Sequence, residues 1–542
     1  MRRLGISLGL VVTSAVFFRA SAQEAKPSAG VADDFVSAGS APPLPEPLAA
    51  ALAGIRAESL VAHIAFLASP ALEGRGLGSR GLDAAAEYAA ASLALAGVPP
   101  LAAGYFQAVP LREVSGLAGE VTVETRQGGS VQTLTFASGE DCLLPEIPPQ
   151  TLTAPVVFAG HGIREEKRGH DDYAGLDVRG KIVLVLRGVP GGEAWRDPEV
   201  ASRYDARKPG ERWEAKQETA GAAGAVAVLA AEGDDFANDV ATRPRPTSFF
   251  LPLDAANDAP PVVRVSPAVA RALLATVGLD TASAGTAKPR ELPGVTATLR
   301  AAGTVRLTSS RNVFGLLAGS DPELRDEVVI LGAHLDHLGR SGDLVHPGAD
   351  DNASGVSAAL EIARAFAWRP TRPRRTVAFA FWTGEEDGKL GSGYYVRHPL
   401  WPLARTRAYV NLDMIGHPWR PEELRKLVTE KGLPGADEFL AKVDPRAFTD
   451  PGLPLDAAHV EEALRWAGPA AGMTLYLDRT DGTHGGSDYR DFARARVPWV
   501  RFFGNFFPGY HEPGDTPANL DPAQVQRMAR LAFATAWHLA ER

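Results

Sequence analysis

Between residues 327 and 503 the chain alternates short, almost wholly apolar runs with longer amphipathic ones, and that alternation constrains its fold more than any other feature. The runs 327–332, 376–383, 407–412 and 498–503 are strand-length and rich in β-branched and aromatic residues, which predicts strands buried on both faces. Between them, residues 355–366 place Val356, Leu360 and Ala363 on one helical face. A closing helix that starts at Asp521-Pro522 carries Val525, Met528, Ala532 and Leu539 on its apolar side. Strands joined by helical crossovers run parallel. The expected fold class is α/β: a mixed, mostly parallel sheet covered by helices on both sides.

The side chains with chemistry gather at the C-terminal ends of these strands. His334 and Asp336 follow the first, Glu385 and Glu386 the second and Asp413 the third, while His511 lies in the loop after the fourth. Asp350 sits in the turn Gly348-Ala349-Asp350-Asp351-Asn352 before the 355–366 helix. Ligands of open α/β sheets bind at the carboxyl ends of strands, so separate segments deliver these residues to one rim. Taken singly, a histidine is more often structural, a Glu-Glu pair a solvated surface feature, and an aspartate a turn cap. Acids repeated at three ends of apolar strands have no packing rationale, because burying unpaired carboxylates is costly.

The set His334, Asp350, Glu386, Asp413 and His511 offers two imidazoles, three carboxylates and no thiolate, which suits zinc, with cobalt and manganese fitting the same donors. Five ligands exceed what one catalytic zinc with an open position takes. They serve two ions about 3.5–4 Å apart if one carboxylate is shared. Asp350, between the two loops that supply the others, is the expected bridge.

The remainder of the chain frames this centre. With 542 residues, 45% hydrophobic and 22% charged, it is long enough for two or three globular domains. A net charge of −9 without a basic stripe argues against nucleic acid as a partner. One cysteine, Cys142, excludes an internal disulfide and reads as a core filler. At the N-terminus, Arg2 and Arg3, an apolar run over 4–18 and Ala20-Ser21-Ala22 read as a signal peptide, 1–22, cut before Gln23. Export to the periplasm or the medium follows, with no stable membrane span after cleavage. Residues 23–54, rich in Ala and Pro, read as a linker. Helices are expected over 59–67 and from Asp83, as cap, to Ala96, with the loop Glu73-Gly74-Arg75-Gly76 between them read as a surface loop. A β-rich block spans 149–294, within which His170-Asp171-Asp172 reads as a solvated turn.

Two resemblances can be stated on these residues. The segment from Asp172-Tyr173-Ala174-Gly175 through Gly180-Lys181, its following strand and the later Gly224-Ala225-Val226 resemble a protease-associated domain, inserted at 149–294. Gly332-Ala333-His334-Leu335-Asp336, Gly348-Ala349-Asp350-Asp351-Asn352, Thr383-Gly384-Glu385-Glu386, Asn411-Leu412-Asp413 and Tyr510-His511 resemble the zinc metallopeptidase family of bacterial leucyl aminopeptidases and glutamate carboxypeptidase, over 55–148 and 295–542. That resemblance implies a secreted two-zinc aminopeptidase acting on peptides. By it, His334 and Asp413 hold one ion and Glu386 and His511 the other, Asp350 bridges, and the Asp350-Asp351 peptide is cis. Asp336 hydrogen-bonds the far nitrogen of His334, Glu385 is the general base and Tyr510 donates to the oxyanion. The loop Asp481-Gly482-Thr483-His484 through Ser487-Asp488 matches loosely, with Tyr489 where many relatives have histidine. His337, His346 and His417 read as structural or exposed, and His484 is set aside as a sixth ligand. A carboxypeptidase, using Lys389, Arg490 or Arg501 for a terminal carboxylate, a glutaminyl cyclase and a receptor-like binding protein remain as alternatives on the same fold.

Overall fold

The computed structural model describes residues 31–39, 44–196, 200, 203–204, 211–242, 248–254, 259–369 and 372–542. The chain divides into two compact units. One comprises the described residues up to Val109 together with Ser309–Arg542, and the other is Pro110–Thr308.

In the first unit the predicted strands form one sheet. We label its members β1 (the 313–317 end of Arg290–Leu317), β2 (Val328–His334), β3 (Thr376–Trp382), β4 (Thr406–Leu412), β5 (Gly452–Leu453), β6 (Asp478–Arg479) and β7 (Trp499–Phe502). Their order is β6-β5-β7-β4-β2-β3-β1. β7, β4, β2 and β3 are mutually parallel, and β1 closes one side antiparallel to β3. Alternate residues of each central strand face opposite layers. Val329, Leu331, Phe379 and Val410 enter a large core, whereas Val328, Ile330, Trp382 and Tyr409 enter a smaller aromatic one. The larger core is completed by helices Ala57–Leu67, Arg80–Leu95, Gly355–Ala367, Ala458–Ala470 and Pro522–Glu541, the smaller by Leu390–Arg397 and Tyr489–Arg494. Every residue of β2 and β3 is buried, as strands covered on both faces require.

Asp521 caps the closing helix by accepting from Ala523 and Gln524 N–H, with Pro522 in its first turn. Ser79, not Asp83, caps Arg80–Leu95, accepting from Leu82 N–H at 3.1 Å, which puts Asp83 inside the first turn. Residues 23–54 are not all linker: Glu46–Gly54 is a helix that buries Leu48 and Leu52, and Phe35–Val36 pairs with Thr474–Tyr476. The expected signal peptide lies outside the described residues. Among the described residues no single helix is long and apolar enough to cross a membrane. The bent pair Glu46–Gly54 and Ala57–Leu67 passes such a test jointly, but it packs Leu48, Leu52, Leu60, Ile64 and Leu67 into the core.

The second unit starts earlier than residue 149. Residues 120–127 pair with Ser130–Ala137 as a hairpin, and Cys142–Leu143 pairs with Val262–Val265, so these runs belong with the β-rich block. Its parallel core is Gln150–Phe158, Ile182–Leu186, Ala227–Ala231 and Val262–Val265, in that order. Cys142 is fully buried in that core. Asp172 is also buried and accepts from Ile163 N–H at 3.0 Å, so the expected solvated turn holds a loop closed.

Candidate metal centre

Because β2, β3, β4 and β7 run parallel, their C-terminal ends share one edge, and the predicted residues arrive there. His334 ends β2, Asp413 follows β4, Glu385 and Glu386 lie just past β3, and His511 is in the loop after β7. His334 Nε2 stands 3.3 Å from Asp413 Oδ1 and 3.2 Å from Asp351 Oδ1. His511 Nε2 stands 3.3 Å from Glu386 Oε2 and 3.1 Å from Asp351 Oδ2. Asp351 therefore presents one oxygen to each of two imidazole–carboxylate pairs.

Asp350, the expected bridge, is not in this cluster. Its Oδ1 accepts from Gly416 N–H at 2.7 Å, and its Oδ2 lies 2.6 Å from His417 Nδ1, whose ring stacks on Phe507. The backbone of the turn dictates this. Gly348 is left-handed, and the N–H groups of Asp350 and Asp351 both donate to the Asp515 carboxylate at 2.8 and 3.0 Å. With the turn so fixed, the two adjacent side chains meet different partners, and the bridging position passes one residue on. The cis peptide is Asp351-Asn352, not the expected Asp350-Asp351. Asn352 secures it to the end of β4, donating to Leu412 O at 2.9 Å and accepting from Gly355 and Met414 N–H. A Cβ on Gly355 would stand 2.4 Å from Asn352 Oδ1, so only glycine permits that approach.

The supporting residues also depart from expectation. The Asp336 carboxylate is 3.9 Å from His334 Nδ1, too far to bond it. Its place is taken by the Asp336 carbonyl at 3.2 Å, which requires Nδ1–H as donor and leaves the Nε2 lone pair facing the cluster. The freed Asp336 carboxylate accepts from Glu385 N–H at 3.1 Å and Glu386 N–H at 3.2 Å, holding the two glutamates in register. Glu385 is buried with its Oε1 3.0 Å from Lys389 Nζ. His337 is neither exposed nor remote: it is buried with Nδ1 2.9 Å from Glu386 Oε1. His346 is buried without joining the cluster, and His484 is exposed. The Tyr510 ring stacks on His511 at 3.8 Å. The helix expected at Ser487 starts at Tyr489.

Asp351, His337 and the Asp515 brace are what the residue pattern missed. Asp351 carried a signal in being next to Asp350, but register within a turn has no periodicity to read. His337 stood one residue beyond Asp336, where a histidine has no distinctive spacing.

The electrostatics mark a place for positive charge. Burial alone lowers a histidine, yet Asp413 and Asp351 raise His334 well above its ordinary value. His511 is raised to about 10, the Asp351 and Glu386 carboxylates outweighing burial. Burial would raise Asp351, but His334 and His511 hold it well below the ordinary carboxylate range. Burial pushes Asp336 up to about 7, opposed by His334, and likewise raises Glu385, opposed by Lys389. Protons are thus drawn onto imidazoles where carboxylates converge, as expected where cations belong. Nitrogen and oxygen donors without thiolate, 3.1–3.3 Å apart, fit zinc, whose bonds to such atoms are about 2.0–2.2 Å.

Comparison with known proteins gives the same chemistry a family. Residues 312–536 match peptidase family M28, and residues 152–273 match the PA domain. The chain is 27% identical over 513 residues to a probable lipoprotein aminopeptidase LpqL of Mycobacterium tuberculosis, spanning 86% of this chain and 81% of that one. It is 41% identical over 108 residues to a probable leucine aminopeptidase 2 of Aspergillus oryzae, a match that spans 20% of each chain. The match with leucine aminopeptidase 2 of Trichophyton rubrum spans 49% of that protein. Among solved structures, an aminopeptidase from Aneurinibacillus sp. strain AM-1 superposes with a TM-score of 0.51 at 20% identity, covering 90% of this chain and 95% of that one, and so shares the fold. Residues 312–536 are thus similar to peptidase family M28, and residues 152–273 to the PA domain.

Proposed function

We propose that the chain is an exported aminopeptidase with a two-zinc centre, removing N-terminal residues from peptides. The observation that carries this reading is the Asp351 carboxylate, with one oxygen toward His334 and Asp413 and the other toward His511 and Glu386. His334, Asp413 and Asp351 would hold one ion, and His511, Glu386 and Asp351 the other, with cobalt or manganese as substitutes. When bound, such ions polarise the scissile carbonyl and make water acidic enough to attack near neutral pH.

The chain's own residues do the rest. Glu385 takes a proton from the attacking water and returns it to the departing amine, a role that contributes roughly 10²- to 10⁴-fold. Asp336 positions it through the Glu385 and Glu386 N–H groups, and Lys389 holds the free oxygen Oε1. Tyr510, whose ring stacks on His511, would donate to the oxyanion. The signal-peptide pattern expected over 1–22 and the relative named a probable lipoprotein aminopeptidase support export.

The cations considered for a carboxypeptidase are already engaged. Lys389 pairs with Glu385, Arg490 with Asp491, and Arg501 with Asp450 and Asp478, which weighs against capture of a terminal carboxylate. The test is a panel of free and N-acetylated aminoacyl substrates beside C-terminally blocked peptides. Cleavage that needs a free amine and tolerates a blocked C-terminus is the expected result. Hydrolysis of the N-acetylated substrates, or a requirement for a free carboxylate, would overturn it.

A further inference from the structure

We propose that Arg75 is the positioning residue of the metal centre, its guanidinium fixing the two loops that carry His334 and Asp351 at the spacing the centre needs. This inference rests on the metal-centre reading above. Arg75 belongs to the Glu73-Gly74-Arg75-Gly76 loop that the sequence presents as a surface feature, yet only 1% of it is exposed. Its backbone is left-handed, with φ of 54°, a conformation that a non-glycine residue holds only when its surroundings enforce it.

The enforcement is a set of four hydrogen bonds to main-chain carbonyls. Nε donates to Leu335 O at 2.9 Å, Nη1 to Leu67 O at 2.5 Å and Pro347 O at 2.7 Å, and Nη2 to Gly348 O at 2.8 Å. Leu335 directly follows His334, and Gly348 opens the turn that presents Asp351. One rigid fork therefore spans both ligand loops and ties them to the end of helix Ala57–Leu67. The loop's backbone adds to this strap. Arg75 O accepts from His337 N–H at 3.2 Å, and Gly74 O accepts from Gly339 N–H at 3.0 Å. The approach is close enough that a Cβ on Gly74 would stand 2.4 Å from His346 O and 2.5 Å from Gly339 O.

Chemistry makes arginine hard to replace here. Its donors are spread over a planar fork, whereas lysine's three hydrogens sit on one atom and cannot reach four carbonyls in different directions. The charge argues in the opposite sense to the clamp. A buried guanidinium near Asp336, Asp351, Glu386 and Asp515 repels an incoming cation, so removing the charge alone would tighten metal binding, whereas removing the clamp loosens it. The sign of the change in zinc affinity tells the two apart.

The test uses the full chain and its Arg75→Lys and Arg75→Met variants, with zinc affinity measured by competition against a chromophoric chelator and metal-free melting curves as a folding control. Both folded variants are expected to bind zinc at least about tenfold more weakly, the scale seen when partners supporting a ligand are removed. Zinc affinity equal to or tighter than that of the unaltered chain in either folded variant would overturn the proposal. Arg75→Ala with added guanidinium is a further arm that covers poor folding of the other two: recovered affinity supports the clamp, and affinity that guanidinium does not change counts against it. An unaltered chain that binds no zinc would refute the metal-centre reading itself, a result distinct from zinc-binding variants with undiminished affinity.

Discussion

The two adjacent aspartates of the turn give the sharpest contrast. Asp351 lies 3.2 Å from His334 Nε2 and 3.1 Å from His511 Nε2, while Asp350 is 2.7 Å from Gly416 N and 2.6 Å from His417 Nδ1. Asp351→Asn removes a charge from both halves of the centre. Loss of a residue that merely supports a metal ligand costs about 10- to 100-fold in affinity. A ligand shared by two ions should cost at least about 100-fold, or roughly 3 kcal/mol. Asp350→Asn instead weakens hydrogen bonds that hold the turn, each of a kind worth about 1.5–3 kcal/mol, and should appear as a lower melting temperature. Its zinc affinity should fall by less than that of Asp351→Asn, since no ligand is lost. Chelator competition and thermal melts on the two variants read both quantities. Zinc lost from Asp350→Asn and retained by Asp351→Asn would refute the assignment of the bridge.

Glu385→Gln should keep its zinc content and lose about 10²- to 10⁴-fold in kcat, because the amide preserves shape but cannot take a proton. Substantial residual turnover would remove Glu385 from the role of base. Away from the centre, burial pushes Asp450 from 3.8 up to about 7, with Arg501 opposing. The folded chain then keeps a proton between about pH 4 and 7 that the unfolded chain has lost, so this group's contribution to stability falls as pH rises through that window. The full effect above pH 7 is on the order of 4 kcal/mol. Asp450→Asn should gain thermal stability relative to the native chain as pH rises from about 4 to 8, and a pH-independent difference would contradict the shift.

Much of this architecture is legible in the chain because burial on both faces leaves no room for polar residues. β2, β3, β4 and β7 were expected within one or two residues of their observed bounds for that reason. Parallel strands then carried His334, Glu386, Asp413 and His511 to one edge without further assumption. What the sequence left unread depends on backbone turns. The choice of Asp351 over Asp350 follows from Asp515, which lies more than 160 residues away in the chain. Arg75 looks like any loop arginine until the carbonyls of Leu335, Pro347 and Gly348 are seen around it. Asp336 was read as the partner of an imidazole, but its oxygens meet the Glu385 and Glu386 amides first. Side-chain-to-backbone bonds across loops leave no periodic trace in a sequence.

In the proposed centre Asp351 joins two metal sites. Crystals of the zinc-loaded chain, measured on both sides of the zinc absorption edge, test it most directly. Two anomalous peaks are expected flanking the Asp351 carboxylate, one beside His334 and Asp413 and the other beside His511 and Glu386. A single peak, or peaks that lie against Asp350, would contradict it.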